Sequence, residues 1–139
     1  MKVNYLIVAF LTSIVFTSCK YEEGPAVSLN SKKERVANHW KAEKVYENGN
    51  DITENYDQYE LIFEENGNAT LLSKYEIGGA DVYFDTKGTW QFEDAKETLK
   101  TMYENSDADK TYTILKLKEN EMWLKEKGGT IEYHLITAN

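Results

Sequence analysis

The side chains able to do chemistry in this chain are few and scattered. His39 and His134 are the only imidazoles. Neither has a second His, a Cys or a carboxylate at a recognised ligand spacing, so no zinc site is expected. His39 is expected to end a short helix, where its charge would meet the C-terminal dipole. His134 is expected on the outer face of a strand. Asn105, Asp107 and Asp109 alternate like the first ligands of a calcium loop. Such a loop needs Gly at its sixth place and a bidentate Glu at its twelfth, and Lys110 and Lys116 stand there instead. Glu64-Glu65 and Glu93-Asp94 could suggest hydrolytic carboxylates, but they fall at strand ends beside turn residues and read as exposed charge. There is no Gly-x-Ser-x-Gly, no phosphate-binding glycine loop and no Cys-His pair. The expectation is a protein that is not an enzyme and carries no cofactor and no metal.

Cys19 is the one cysteine, so no intrachain disulfide is available. Met1-Lys2 gives a positive start, and Tyr5 to Phe16 is an apolar stretch too short for a bilayer span of about 20 residues. Phe16-Thr17-Ser18-Cys19 then closes it with small residues before the thiol. The pattern resembles a lipobox, with Phe16 where Leu is more usual. That resemblance implies cleavage before Cys19 and lipidation of its thiol and new N-terminus. The competing readings are a free thiol or an intermolecular partner, both liabilities in an oxidising compartment. The organisation expected is a signal peptide over 1–18, a lipidated tether over 19–30 and one domain over 31–139. The tether contains Gly24-Pro25, and about 11 extended residues would reach on the order of 35–40 Å. Lys20-Tyr21-Glu22-Glu23 resembles the acidic signal that sends some Gram-negative lipoproteins to the cell surface. A solvated acidic linker is the alternative.

The formal charge of −8 becomes one unit more negative once Lys2 leaves with the leader. An acidic domain excludes nucleic acid as a partner and leaves the lipid anchor as its attachment to a membrane. Ten Tyr, five Phe and three Trp against one Pro suit a sheet-rich domain. With its size, such a domain can bury a core without staples, and a monomer is expected.

Ser31-Lys32-Lys33-Glu34 is a capping box opening a short helix to about Asn38, with Val36 and Trp40 on one face. Thereafter the period alternates. Strands are expected over Trp40–Tyr46, Tyr59–Glu64, Ala69–Ile77, Val82–Asp85, Gly88–Glu93, Thr98–Tyr103, Thr111–Lys118, Glu121–Lys127 and Thr130–Thr137. Asn48-Gly49-Asn50-Asp51, Asn66-Gly67-Asn68 and Gly128-Gly129 supply turns that tolerate positive φ. Gly78-Gly79 and Asn105–Lys110 read as looser connections. The fold class expected is all-β: an antiparallel, up-and-down, eight-stranded barrel with a short N-terminal helix.

Several motifs carry a family resemblance: the helix leading to Trp40, the turn after it, Leu61-Ile62-Phe63-Glu64-Glu65-Asn66-Gly67, Lys87-Gly88-Thr89-Trp90, and Tyr112-Thr113-Ile114 with Met122-Trp123-Leu124. On these the chain resembles the small lipocalin-like domains of bacterial lipoproteins. Asn38 stands where lipocalins usually carry Gly. The resemblance implies a lipid-anchored protein of the outer membrane, periplasmic or surface-exposed, and supplies no catalytic residue. Trp40, Tyr46, Phe63, Tyr75, Trp90, Phe92 and Tyr133 are expected to point inward. They form either a packed core or the lining of a partly open pocket for a small hydrophobic or amphipathic ligand. The alternative is a surface module with a filled core. It would contact a glycan or partner protein, inhibitor-like binding included, through Tyr21, Tyr56, Tyr83, Tyr103 and Trp123. An apolar cavity of about 300 Å³ or more would favour the ligand.

Overall fold

A computed structural model describes residues 22–23 and 30–139, apart from the side chains of Glu22, Glu23, Tyr75 and Glu76. Two dipeptides make its tightest turns. Asn48-Gly49 and Gly78-Gly79 each place two successive residues at positive φ, the backbone of a two-residue hairpin. The first joins β2 (His39–Glu47) to the short β3 (Asn50–Asp51). The second joins β5 (Asn68–Ile77) to β6 (Ala80–Glu93), with Ile77 opposite Ala80. Gly78-Gly79 is thus a tight turn, not the looser connection its sequence suggested. The strands expected at Val82–Asp85 and Gly88–Glu93 are one strand of 14 residues. No turn residue interrupts them, and Asp85, Thr86 and Lys87 all stay paired to β5.

The remaining strands are β1 (Glu22–Glu23), β4 (Glu60–Phe63), β7 (Thr98–Tyr103), β8 (Lys110–Leu117), β9 (Glu121–Glu126) and β10 (Ile131–Thr137). Neighbours in sequence are neighbours in space from β4 to β10. β10 returns to β2, and β2 joins β4, so eight antiparallel strands close a barrel. Closure removes the long exposed edges that invite aggregation. β1 adds a parallel pairing onto β8 at Lys116 and Leu117.

One end of the barrel is plugged. A single helical turn, α1 (Lys32–Val36), is capped by Ser31, whose hydroxyl accepts from the Glu34 amide while Glu34 accepts from the Ser31 amide. Arg35 donates to the Leu117 carbonyl at 2.9 Å, and the Trp40 indole donates to the Val36 carbonyl at 2.9 Å. His39 lies beyond this helix as the first residue of β2, where Nε2 meets Glu60 at 2.5 Å. It therefore does not end the helix as expected, because Ala37 already leaves helical geometry.

Above the plug, Trp40, Leu61, Phe63, Leu99, Ile114, Met122, Leu124 and Leu135 are buried almost completely. Each large apolar side chain so placed stabilises the fold by about 1.5–3 kcal/mol. Eight strands leave an interior that side chains can fill, and here they do.

Candidate functional site

The open end is built differently. Beyond Leu72 β5 has no partner on its β4 side, and β6 meets β7 only from Gly88. The β5–β6 hairpin therefore overruns the barrel as a two-stranded ribbon. Alternation from buried Leu71 and Ser73 carries Ile77 onto its inner side, opposite Ala80, and Phe84 lies there across from Ser73. Ile77 and Phe84 are exposed, as is Tyr83 on the outer side at 63%. Across the mouth, Asp51 holds the segment between β3 and β4. Its carboxylate accepts from the Thr53 amide at 2.9 Å, from the Thr53 hydroxyl at 2.5 Å and from Lys44 at 3.0 Å. These contacts hold the Asp51 carboxyl down to about 2. The 3-10 turn Thr53–Tyr56 then carries Tyr56 over the barrel, edge-on to both Tyr59 and Tyr133.

Two cavities open between these parts and share Ser73. One, of about 370 Å³, is lined by Ile52, Tyr56, Tyr59 and Ile131, with Glu47, Asn55, Gln58 and Lys74 at its polar margin. The other, of about 580 Å³, lies along the ribbon between Leu71, Ile77 and Phe84 and the β7–β8 connection at Asn105 and Ala108.

Beneath them lies a layer of tyrosines. Tyr59 stacks on Tyr133 with ring centroids 5.3 Å apart, and Tyr112 meets Tyr133 edge-on. The Tyr133 hydroxyl donates to Glu126 at 2.8 Å, and Lys110 approaches the same carboxylate at 3.3 Å. Tyr59 and Tyr112 hold their hydroxyls against one another. Gly88 lets β7 come close here, since a Cβ at that position would lie 2.0 Å from the Met102 carbonyl oxygen and 2.7 Å from Tyr103 Cα. Tyr103, opposite Gly88, is buried. Its hydroxyl has no hydrogen-bond partner among the described residues. Burial pushes the phenols of Tyr59, Tyr103, Tyr112 and Tyr133 well above the ordinary tyrosine range. All four stay protonated.

The expected inward residues divide into three sets. Trp40, Phe63 and Trp90 are buried core, and Phe92 packs half-buried against Trp90 at 5.5 Å. Trp90 also donates its indole N–H to the Glu64 carbonyl at 2.8 Å. Tyr133 belongs to the tyrosine layer. Tyr46 faces outward, contrary to expectation. An extra residue in β2, Glu43, shifts the pairing between Lys44–His134 and Ala42–Leu135, so Val45 turns in and Tyr46 turns out against His134. Tyr75 falls outside the described side chains. Cys19 and Tyr21 lie outside the described residues.

Among the residues expected at the surface, Tyr83 is exposed, while Tyr56 lies at the mouth and Tyr103 is buried. The Asp109 carboxylate accepts from the Tyr103 amide at 2.6 Å, which ties the end of β7 to the connection that follows it. His134 lies on the outer face as expected, stacked on Trp123 at 3.9 Å, with Lys116 over the other ring. Among the described residues no group of three or more His, Cys, Asp or Glu could hold a metal ion. Asn105 and Asp109 instead bond the backbone of their own loop region. Glu126 was missed by sequence reading, although the alternation Met122, Leu124, Glu126 carries it to the inner face.

Against known proteins, no family model, no curated protein and no solved structure matches this chain.

Proposed function

We propose that this is a lipocalin-like, lipid-anchored binding protein of the cell envelope that takes a small amphipathic ligand at the mouth of its barrel, without catalysis. The observation that supports the reading is the cavity of about 370 Å³ beside the tyrosine layer. It exceeds the size a small ligand needs and combines apolar walls with a few convergent polar groups. The filled interior below it argues for a shallow seat, in which the ligand lies across Tyr56 and Tyr59 under the overhang of the ribbon. Attachment through Cys19 rests on the leader-like sequence before it. Glu22, three residues on, pairs with β8 beside the plugged end, so an anchor there would turn the mouth away from the membrane.

Titration with N-phenyl-1-naphthylamine, an uncharged probe that brightens in apolar surroundings, tests the binding. Saturable uptake at one site is expected, and non-saturable or absent uptake contradicts it. Cys19→Ala should leave the protein free of labelled fatty acid, and label on that variant would contradict the anchor.

A second reading, an interaction module, is favoured by one observation: the ribbon exposes a large apolar or aromatic side chain on each side, Ile77 and Phe84 on the inner and Tyr83 on the outer. Failure of the titration would move the function to that surface.

A further inference from the structure

Ser73 is the residue that the two mouth cavities have in common. It lies in β5 opposite Phe84, with its side chain on the inner side of the ribbon. The residue is 7% exposed, and among the described residues its hydroxyl makes no hydrogen bond. That hydroxyl is not sealed within the protein, so the space it can reach is the space of the two cavities. Buried polar groups are nearly always paired. A hydroxyl held this deep therefore gains most from a ligand that brings it an acceptor.

The walls on either side of Ser73 are apolar. Ile52, Tyr59 and Ile131 stand in the first cavity, and Leu71, Ile77 and Phe84 in the second. The lysine of the mouth, Lys74, is already matched to Asp57 at 3.6 Å and to Asp81 at 3.3 Å. Glu47 lines one cavity and Asp85 the other, both acidic. A charged group beside Ser73 would exchange its hydration for a single hydroxyl, which cannot compensate the loss. The arrangement suits a molecule whose uncharged polar group lies in its middle, with an apolar arm on each side. It suits a head group at one end less well.

We propose that the mouth takes a two-armed, uncharged ester, whose carbonyl oxygen accepts a hydrogen bond from the Ser73 hydroxyl while one arm lies in each cavity. This rests on the ligand-binding reading above. It adds the donor atom, the charge class of the ligand and the place of the polar group within it.

The test displaces N-phenyl-1-naphthylamine, which has no oxygen, with two isomeric esters, hexyl hexanoate and methyl undecanoate. They share every atom count and differ in whether the ester lies in the middle or at one end. In the wild type, hexyl hexanoate should displace the probe at a lower concentration than methyl undecanoate. Ser73→Ala should bind the probe unchanged and lose about threefold to tenfold in hexyl hexanoate affinity. Its thermal midpoint should not fall, because the hydroxyl removed has no partner among the described residues. Phe84→Ala, which removes a wall of the second cavity, should also weaken hexyl hexanoate. Equal displacement by the two isomers, or tighter binding of methyl undecanoate, overturns the two-armed class. Unchanged hexyl hexanoate affinity in Ser73→Ala overturns the anchor, as does an equal weakening of probe and ester. Hexyl hexanoate affinity untouched by Phe84→Ala overturns the place of the second arm. A wild type that takes up no probe overturns the binding reading itself.

Discussion

Trp90 shows how one side chain joins several elements. Its backbone N–H donates to the Gly67 carbonyl at 2.8 Å and its indole to the Glu64 carbonyl, so it ties β6 to the β4–β5 turn. Its ring also packs between Phe63 and Phe92. Trp90→Ala should cost about 3–5 kcal/mol of stability, read by urea unfolding. A loss below about 1 kcal/mol would contradict a packed closed end. That Trp40, Phe63 and Trp90 point inward was legible, because simple alternation holds along β4 and β6, and Trp40 lies in β2 before its irregularity at Glu43. Tyr46 was not, because the extra residue Glu43 reverses alternation within one strand and leaves no mark in composition. Tyr103 misled for another reason: its burial depends on Gly88 across the sheet, a pairing that no local pattern displays.

At the level of elements, the turn chemistry was the most legible part, since Asn48-Gly49 and Asn66-Gly67 supply conformations that few other residues tolerate. The ribbon was less so. Its existence depends on β4 being four residues long while β5 has ten, and strand ends are set by their partners. The segment carrying Tyr56 depends on Asp51, and this has a pH consequence. The carboxyl is held at about 2 in the fold, below its ordinary 3.8. Its contribution is therefore fully present above pH about 4 and is lost as pH falls toward 2. The protection factors of the Ile52 and Asn55 amides, whose bonds lie in this segment, should fall over that window. Asp51→Asn should show the low protection already at neutral pH. Protection factors that stay constant with pH in the wild type would detach Tyr56 from this control.

For the whole molecule, the two ends have different roles: a plugged end, where β1 joins β8, and an open end rimmed by the ribbon and Tyr56. The distinction follows from strand lengths and pairing, which is why an inward-facing aromatic could not be assigned from sequence to core or to cavity. Where the ligand sits is therefore the claim on which the functional reading stands. Heteronuclear NMR of the soluble domain titrated with 1-decanol addresses it directly. Shifts should concentrate at the amides of Ile52, Tyr59, Ser73 and Ile131, while the indole N–H signals of Trp40 and Trp90 stay in place. Movement of those two indole signals, with the mouth amides unchanged, would put the ligand inside the barrel and contradict the account.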